Sequence, residues 1–274
     1  MSNSLEEVSK ILDKQIHANE LKLRILMTDG CTKFPRCSFC LNDFQPKPEI
    51  EKMKFLNSAT AKTAIKQYSD SFRGKYPLQV YFSGGEPTMH LKLIDLMSFA
   101  KSLDCRVTLN TNGDFSESLE ADLILFSDEI HFGTYEINKN HAEKVKRMEG
   151  TIQTVYKDID ESFIKFYSSY NIPIKVFQDF YDNSNDYVNF AKELIEKFPK
   201  SKLSFRYTGV QENRGPGCDD CNKKCCTLKA AWIFPDGGSS PCPQLHNRKL
   251  FYLKDSTEWS KYFDEVEQFH RKDN

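Results

Sequence analysis

Short β-rich runs separated by helical periodicity recur along this 274-residue chain, and that alternation constrains its fold more than any other feature. Leu21–Thr28 sets leucine, isoleucine and methionine between basic residues. Leu78–Phe82, Arg106–Leu109, Glu129–Tyr135, Pro173–Phe177 and Leu203–Tyr207 are further runs of this kind. Between them, Leu91–Leu103 repeats apolar residues at 91, 94, 97, 100 and 103, and Asp186–Phe198 carries Val188, Ala191, Leu194, Ile195 and Phe198 at helical spacing. Strands that alternate with helices predict a parallel sheet. About six such units make either an open doubly wound sheet or an incomplete barrel. Asn138–Tyr156 has no clear period and carries no assignment.

The unusual stretches fall where strands end. "GCTKFPRCSFC" (Gly30–Cys40) follows the first run, "SGGEPT" (Ser83–Thr88) the second and "NTNG" (Asn110–Gly113) the third. All three are therefore expected at the carboxyl ends of neighbouring parallel strands, where such folds build their active sites. The nine cysteines cluster in the same spirit: Cys31, Cys37 and Cys40, then Cys218, Cys221, Cys225, Cys226 and Cys242, with Cys105 alone. An odd number in a chain this long, with no export signal, argues for metal over disulfides. Cys105 opens a strand and reads as a small buried apolar residue. The first group suits zinc with a further ligand, or three irons of a four-iron cluster. No fourth cysteine or histidine lies nearby to close a zinc tetrahedron, and a zinc loop gives no reason for "GGEP". Gly84 and Gly85 let backbone come close to a ligand, Pro87 fixes the exit from the turn, and Glu86 adds a carboxylate suited to an ammonium group.

Cys31, Cys37, Cys40, "GGEP" and the strand order together resemble the radical S-adenosylmethionine superfamily, over roughly Leu21 to Tyr207. The resemblance implies a partial (β/α)6 TIM-like barrel over residues 21–210, preceded by a helical extension at 1–20. It implies a four-iron, four-sulfur cluster on the three cysteines, whose open iron S-adenosylmethionine chelates. By similarity, Gly84, Gly85 and Glu86 bind the methionine amino end, Phe39 lies by the adenine, and Asn110 and Asn112 contact ribose or carboxylate. For the two asparagines a simple Asn-Gly turn is the competing reading. The family's common spacing is C-x3-C-x2-C; this chain reads C-x5-C-x2-C, which places Lys33 and Arg36 in a longer loop.

The second cysteine group begins with a C-x2-C pair at Cys218 and Cys221. Cys226 and Cys242 then bracket "TLKAAWIFPDGGSSP", read as a strand, a Pro-Asp-Gly-Gly turn and a second short arm. C-x10-G-x4-C from Cys226 resembles the opening of SPASM and twitch auxiliary-cluster domains. With no cysteine after Cys242, the shorter twitch form over 211–274, with one auxiliary four-iron cluster, fits better. A structural zinc ribbon suits the same spacing. Trp259, Tyr262, Phe263, Val266 and Phe269 share one helical face further on.

The implied chemistry is reductive cleavage of S-adenosylmethionine and hydrogen abstraction from a substrate. An oxidative, dehydrogenase-like step or a rearrangement in small-molecule biosynthesis is the first expectation, since only about 20 residues precede the first strand, too few for a leader-binding domain. Modification of a ribosomal peptide, by epimerisation, crosslink or thioether formation, is the alternative. A non-catalytic zinc-binding interaction module is the rival from another class. Tyr135, Glu136, Gln178, Asp179 and Arg206 at later strand ends are further contact candidates. The implied electron donor is a flavodoxin or ferredoxin. A net charge of −1 gives no general attraction to nucleic acid, no apolar run approaches the roughly 18 residues of a membrane span, and the polar N-terminus leads to a cytoplasmic expectation.

Overall fold

The computed structural model describes residues 21–33, 37, 52–178, 186–206, 230–240 and 251–252. The expected N-terminal extension, Cys40, Phe39, Asp179, the cysteines from 218 to 242 and the Trp259–Phe269 stripe lie outside these residues. The chain divides into two units, one holding the described residues up to Glu129 and those from 230 onward, the other those from Ile130 to 206.

In the first unit, β1 (Leu21–Leu26), β2 (Leu78–Ser83) and β3 (Arg106–Thr111) pair in parallel, with Leu23 opposite Val80 and Val80 opposite Val107. Leu23, Ile25, Val80, Phe82, Val107 and Leu109 point to one face and are fully buried. Helix α1 (Ser58–Phe72) supplies Ala61, Ala64, Ile65, Tyr68 and Phe72 as a buried stripe at helical spacing. Its first turn is capped by Asn57, whose side chain accepts from the N–H groups of Ala59 (2.9 Å) and Thr60 (3.3 Å). Tyr68 fixes this helix to β2, accepting the Gln79 N–H at 3.0 Å. Helix α2 (Leu93–Ser102) buries Leu93, Leu96, Met97 and Ala100, and α3 (Glu120–Phe126) precedes the unit's end. The other sheet face is polar and aromatic: the Arg24 guanidinium lies 4.3 Å from the centre of the Tyr81 ring and 5.0 Å from that of Trp232.

Trp232 belongs to β8 (Ala230–Ile233), which pairs in parallel with the free side of β1. The Pro-Asp-Gly-Gly turn returns the chain into β9 (Gly238–Ser240), antiparallel to β8, and β10 (Phe251–Tyr252) pairs with β9. The expected hairpin is therefore present, and it extends the β1 edge. Phe251 and Tyr252 are strand.

In the second unit, β4 (Glu129–Gly133), β5 (Thr151–Val155), β6 (Ile174–Phe177) and β7 (Leu203–Arg206) are again parallel. Helices α4 (Lys139–Arg147), α5 (Glu161–Ser169) and α6 (Asp186–Lys197) connect them. The unassigned stretch Asn138–Tyr156 is thus a helix followed by a strand. Asn138 caps α4 through His141 N–H (3.0 Å), and only Ala142 and Val145 of that helix are buried, too thin a stripe to show as a period. Every expected strand is present, within one or two residues at its ends. Among the described residues no helix is long and apolar enough to cross a membrane.

Candidate functional site

The carboxyl ends of β1, β2 and β3 come together as the sequence requires. After β1 the chain runs through Thr28 to Cys31. Thr28 is fully buried and works at both ends: its Oγ1 accepts the Gly30 N–H at 3.0 Å, and its carbonyl accepts the Gly85 N–H at 2.8 Å. The Glu86 N–H then donates to the Gly30 carbonyl at 2.7 Å. The turn after β2 is thereby bonded to the turn after β1.

This contact explains the glycine pair. A Cβ on Gly85 would stand 1.7 Å from the Gly30 carbonyl oxygen, and one on Gly84, whose φ is +130°, would stand 2.6 Å from the Thr28 oxygen. Backbone fills the space a side chain would need, so both positions require glycine. The close approach is between the two turns of the protein itself.

Glu86 lies at 0% exposure. Its Oε1 accepts from the Thr88 N–H (3.1 Å), the Thr88 hydroxyl (2.6 Å) and the Thr111 hydroxyl (2.8 Å). Its Oε2 accepts the Asn112 N–H at 2.7 Å. Burial pushes the carboxyl up, while these four hydrogen bonds favour its charged form and pull it down. The side chain also caps the short 3-10 turn Pro87–Met89, with proline at its first position. Glu86 therefore joins the β2 turn to the end of β3. The carboxylate expected to face an ammonium group holds these four bonds within the protein.

Asn112 connects β3 to the cysteine loop. Its Nδ2 donates to Cys31 Sγ at 3.6 Å and to Thr32 Oγ1 at 3.0 Å, while its Oδ1 accepts the Asp114 N–H at 2.7 Å. Lys33 N–H also donates to Cys31 Sγ, at 3.4 Å. Cys31 and Cys37 are both partly exposed. Asn110 stands half-buried on β3. Among the described residues no three metal-ligating side chains form a group. Cys105 is buried as expected, and burial pushes its thiol up to about 11.

Sequence reasoning missed Thr28, Thr88, Thr111 and His90. His90 Nε2 sits 2.8 Å from the Leu56 carbonyl and its Nδ1 accepts the Lys92 N–H at 3.1 Å, which makes Nε2 the protonated nitrogen. Glu-Pro-Thr was a legible signal for a capped turn; the pairing of Thr111 with Glu86, 25 residues away, had none.

Crystal structures of SuiB from Streptococcus suis share this architecture. The form bound to precursor peptide SuiA superposes with a TM-score of 0.65 at 14% identity, over 94% of this chain and 68% of that one. The form bound to S-adenosylmethionine gives 0.65 at 16%, over 98% and 72%. The chain has the SuiB fold. A further SuiB structure gives 0.61 at 15% identity, over 94% and 70%. No protein-family model and no curated protein matches the chain. At these identities the likeness concerns the mixed α/β fold with its parallel strands, which agrees with the expected partial barrel.

Proposed function

We propose that the chain is a radical S-adenosylmethionine enzyme acting on a peptide. The observation that carries this reading is the surroundings of Cys31. The first cysteine of the C-x5-C-x2-C stretch stands just after β1, and N–H groups of Lys33 and Asn112 converge on its sulfur. Converging donors suit a metal-bound, negatively charged sulfur better than a neutral thiol, so this donor set fits an iron–sulfur cluster. Cys31, Cys37 and Cys40 would hold that cluster. When bound, it supplies the electron that cleaves S-adenosylmethionine and so generates the radical that removes a substrate hydrogen atom.

The chain's own residues position and shield. Gly84 and Gly85 press the β2 turn against β1, and Glu86 locks that turn to β3. This rigid turn would present its backbone polar groups to the amino end of S-adenosylmethionine. Phe39 by the adenine and Asn110 beside the ribose complete the proposed cofactor site. Cys218, Cys221, Cys226 and Cys242 would hold the auxiliary cluster, and a flavodoxin or ferredoxin would deliver the electron.

A peptide replaces the small metabolite as the preferred substrate because SuiB, which shares the fold, has been seen bound to its precursor peptide. Anaerobic reconstitution tests the whole reading: about eight irons per chain are expected from two four-iron clusters. Dithionite and S-adenosylmethionine should then yield 5′-deoxyadenosine, and Cys31→Ala should abolish it. Stoichiometric zinc with no iron uptake would instead establish the zinc-binding module.

A further inference from the structure

Both polar atoms of the Asn112 side chain have partners in the protein. Oδ1 accepts the Asp114 N–H, and this fixes which end of the amide is which. Nδ2 is thereby turned to Cys31 Sγ and Thr32 Oγ1, one hydrogen for each. The backbone beneath is held as firmly, because the Asn112 N–H donates to Glu86, which is fully buried.

We infer that Asn112 is a positioning residue for the Cys31 sulfur, and that its N–H···S bond raises the reduction potential of the cluster which that sulfur would bind. The inference rests on the cluster proposed above. It gives Asn112 a role different from a ribose or carboxylate contact. Reduction adds negative charge, part of which resides on the ligand sulfurs. A donor aimed at such a sulfur stabilises the reduced form more than the oxidised form. The donor here is neutral, held from both sides, and carried by a different strand from the cysteine.

The test uses the reconstituted, full-length protein. At a solution potential where wild type is half reduced, Asn112→Ala should show a reduced-to-oxidised ratio about tenfold lower, equivalent to about 59 mV for a one-electron couple. Asn112→Asp keeps the shape and the Asp114 contact but turns an acceptor toward the sulfur, so its ratio should fall at least as far. Electron paramagnetic resonance of the reduced cluster reads both. In wild type grown with isotopically labelled asparagine, pulsed resonance should also detect one asparagine nitrogen coupled to the cluster, and that coupling should vanish in Asn112→Asp. Variants with full iron and the wild-type ratio overturn the inference and leave the proposed function standing. Should Asn112→Ala take up no iron, the labelled wild type decides: a coupled nitrogen supports the bond and its absence overturns it. Wild type that takes up no iron overturns the proposed function itself.

Discussion

Glu86→Gln separates a carboxylate that clamps the protein from one that reads a ligand. In the native chain four donors converge on it, three at Oε1 and one at Oε2. Glutamine retains one oxygen. Placed at Oε1, that oxygen still accepts from Thr88 and Thr111, but the new –NH2 faces the Asn112 N–H, donor against donor. A buried donor left without an acceptor costs roughly 1–3 kcal/mol. Turning the amide over moves the conflict onto the three donors at the other oxygen. Each kcal/mol lowers the melting temperature by about 2–4 °C in a chain of this size. The pH dependence has a definite sign. Burial, the largest influence, raises the native carboxyl above its ordinary value of 4.5. Its protonation therefore contributes stability that is complete below the unfolded value and is lost as pH rises through the native one. Glutamine does not titrate, so the gap between wild type and variant should be widest in acid and narrow with rising pH. Thermal melting followed by circular dichroism, from about pH 5 to about pH 9, measures it. Equal melting temperatures at every pH would refute the clamp, and a gap that widens with pH would refute the assigned direction. A ligand contact predicts the opposite pattern: weaker S-adenosylmethionine binding with unchanged melting.

Gly85→Ala should force the β1 and β2 turns apart, since its Cβ would meet the Gly30 carbonyl at 1.7 Å; overpacking of this kind costs about 1–3 kcal/mol or more. Iron bound after reconstitution should fall with stability, and a variant with native melting and native iron would show the turns to be independent. Cys105, with its thiol pushed up to about 11, should resist iodoacetamide at about pH 8 in the folded chain and react once unfolded, as mass spectrometry of the labelled peptide would show. Labelling of the native protein would place that thiol at the surface.

Local pattern by itself determined the order of strands and helices. An apolar residue at every second or every third and fourth place states which face of an element is buried, and Leu23, Ile25, Val80 and Phe82 on the strands obey it, as do Leu93, Leu96, Met97 and Ala100 on α2. The same order put "GCTKFPRCSFC", "SGGEPT" and "NTNG" at adjacent strand ends. Where the apolar stripe was thin, as in α4, the pattern was silent. Only the tertiary structure decided which partners within the protein the site residues take. Gly84 and Gly85 read as letting backbone come close to a ligand, and the structure adds that the turn after β1 fills the space their Cβ atoms would need. Glu86, expected as a ligand contact, also ties β2 to β3, and Asn112, expected as a turn or a cofactor contact, also donates to Cys31. These bonds join residues 26 and 81 positions apart. Periodicity reports only neighbours along one element. A hydrogen bond between two strand ends depends on how separate elements pack, and that packing is set by the buried sheet face, not by the sequence around either partner.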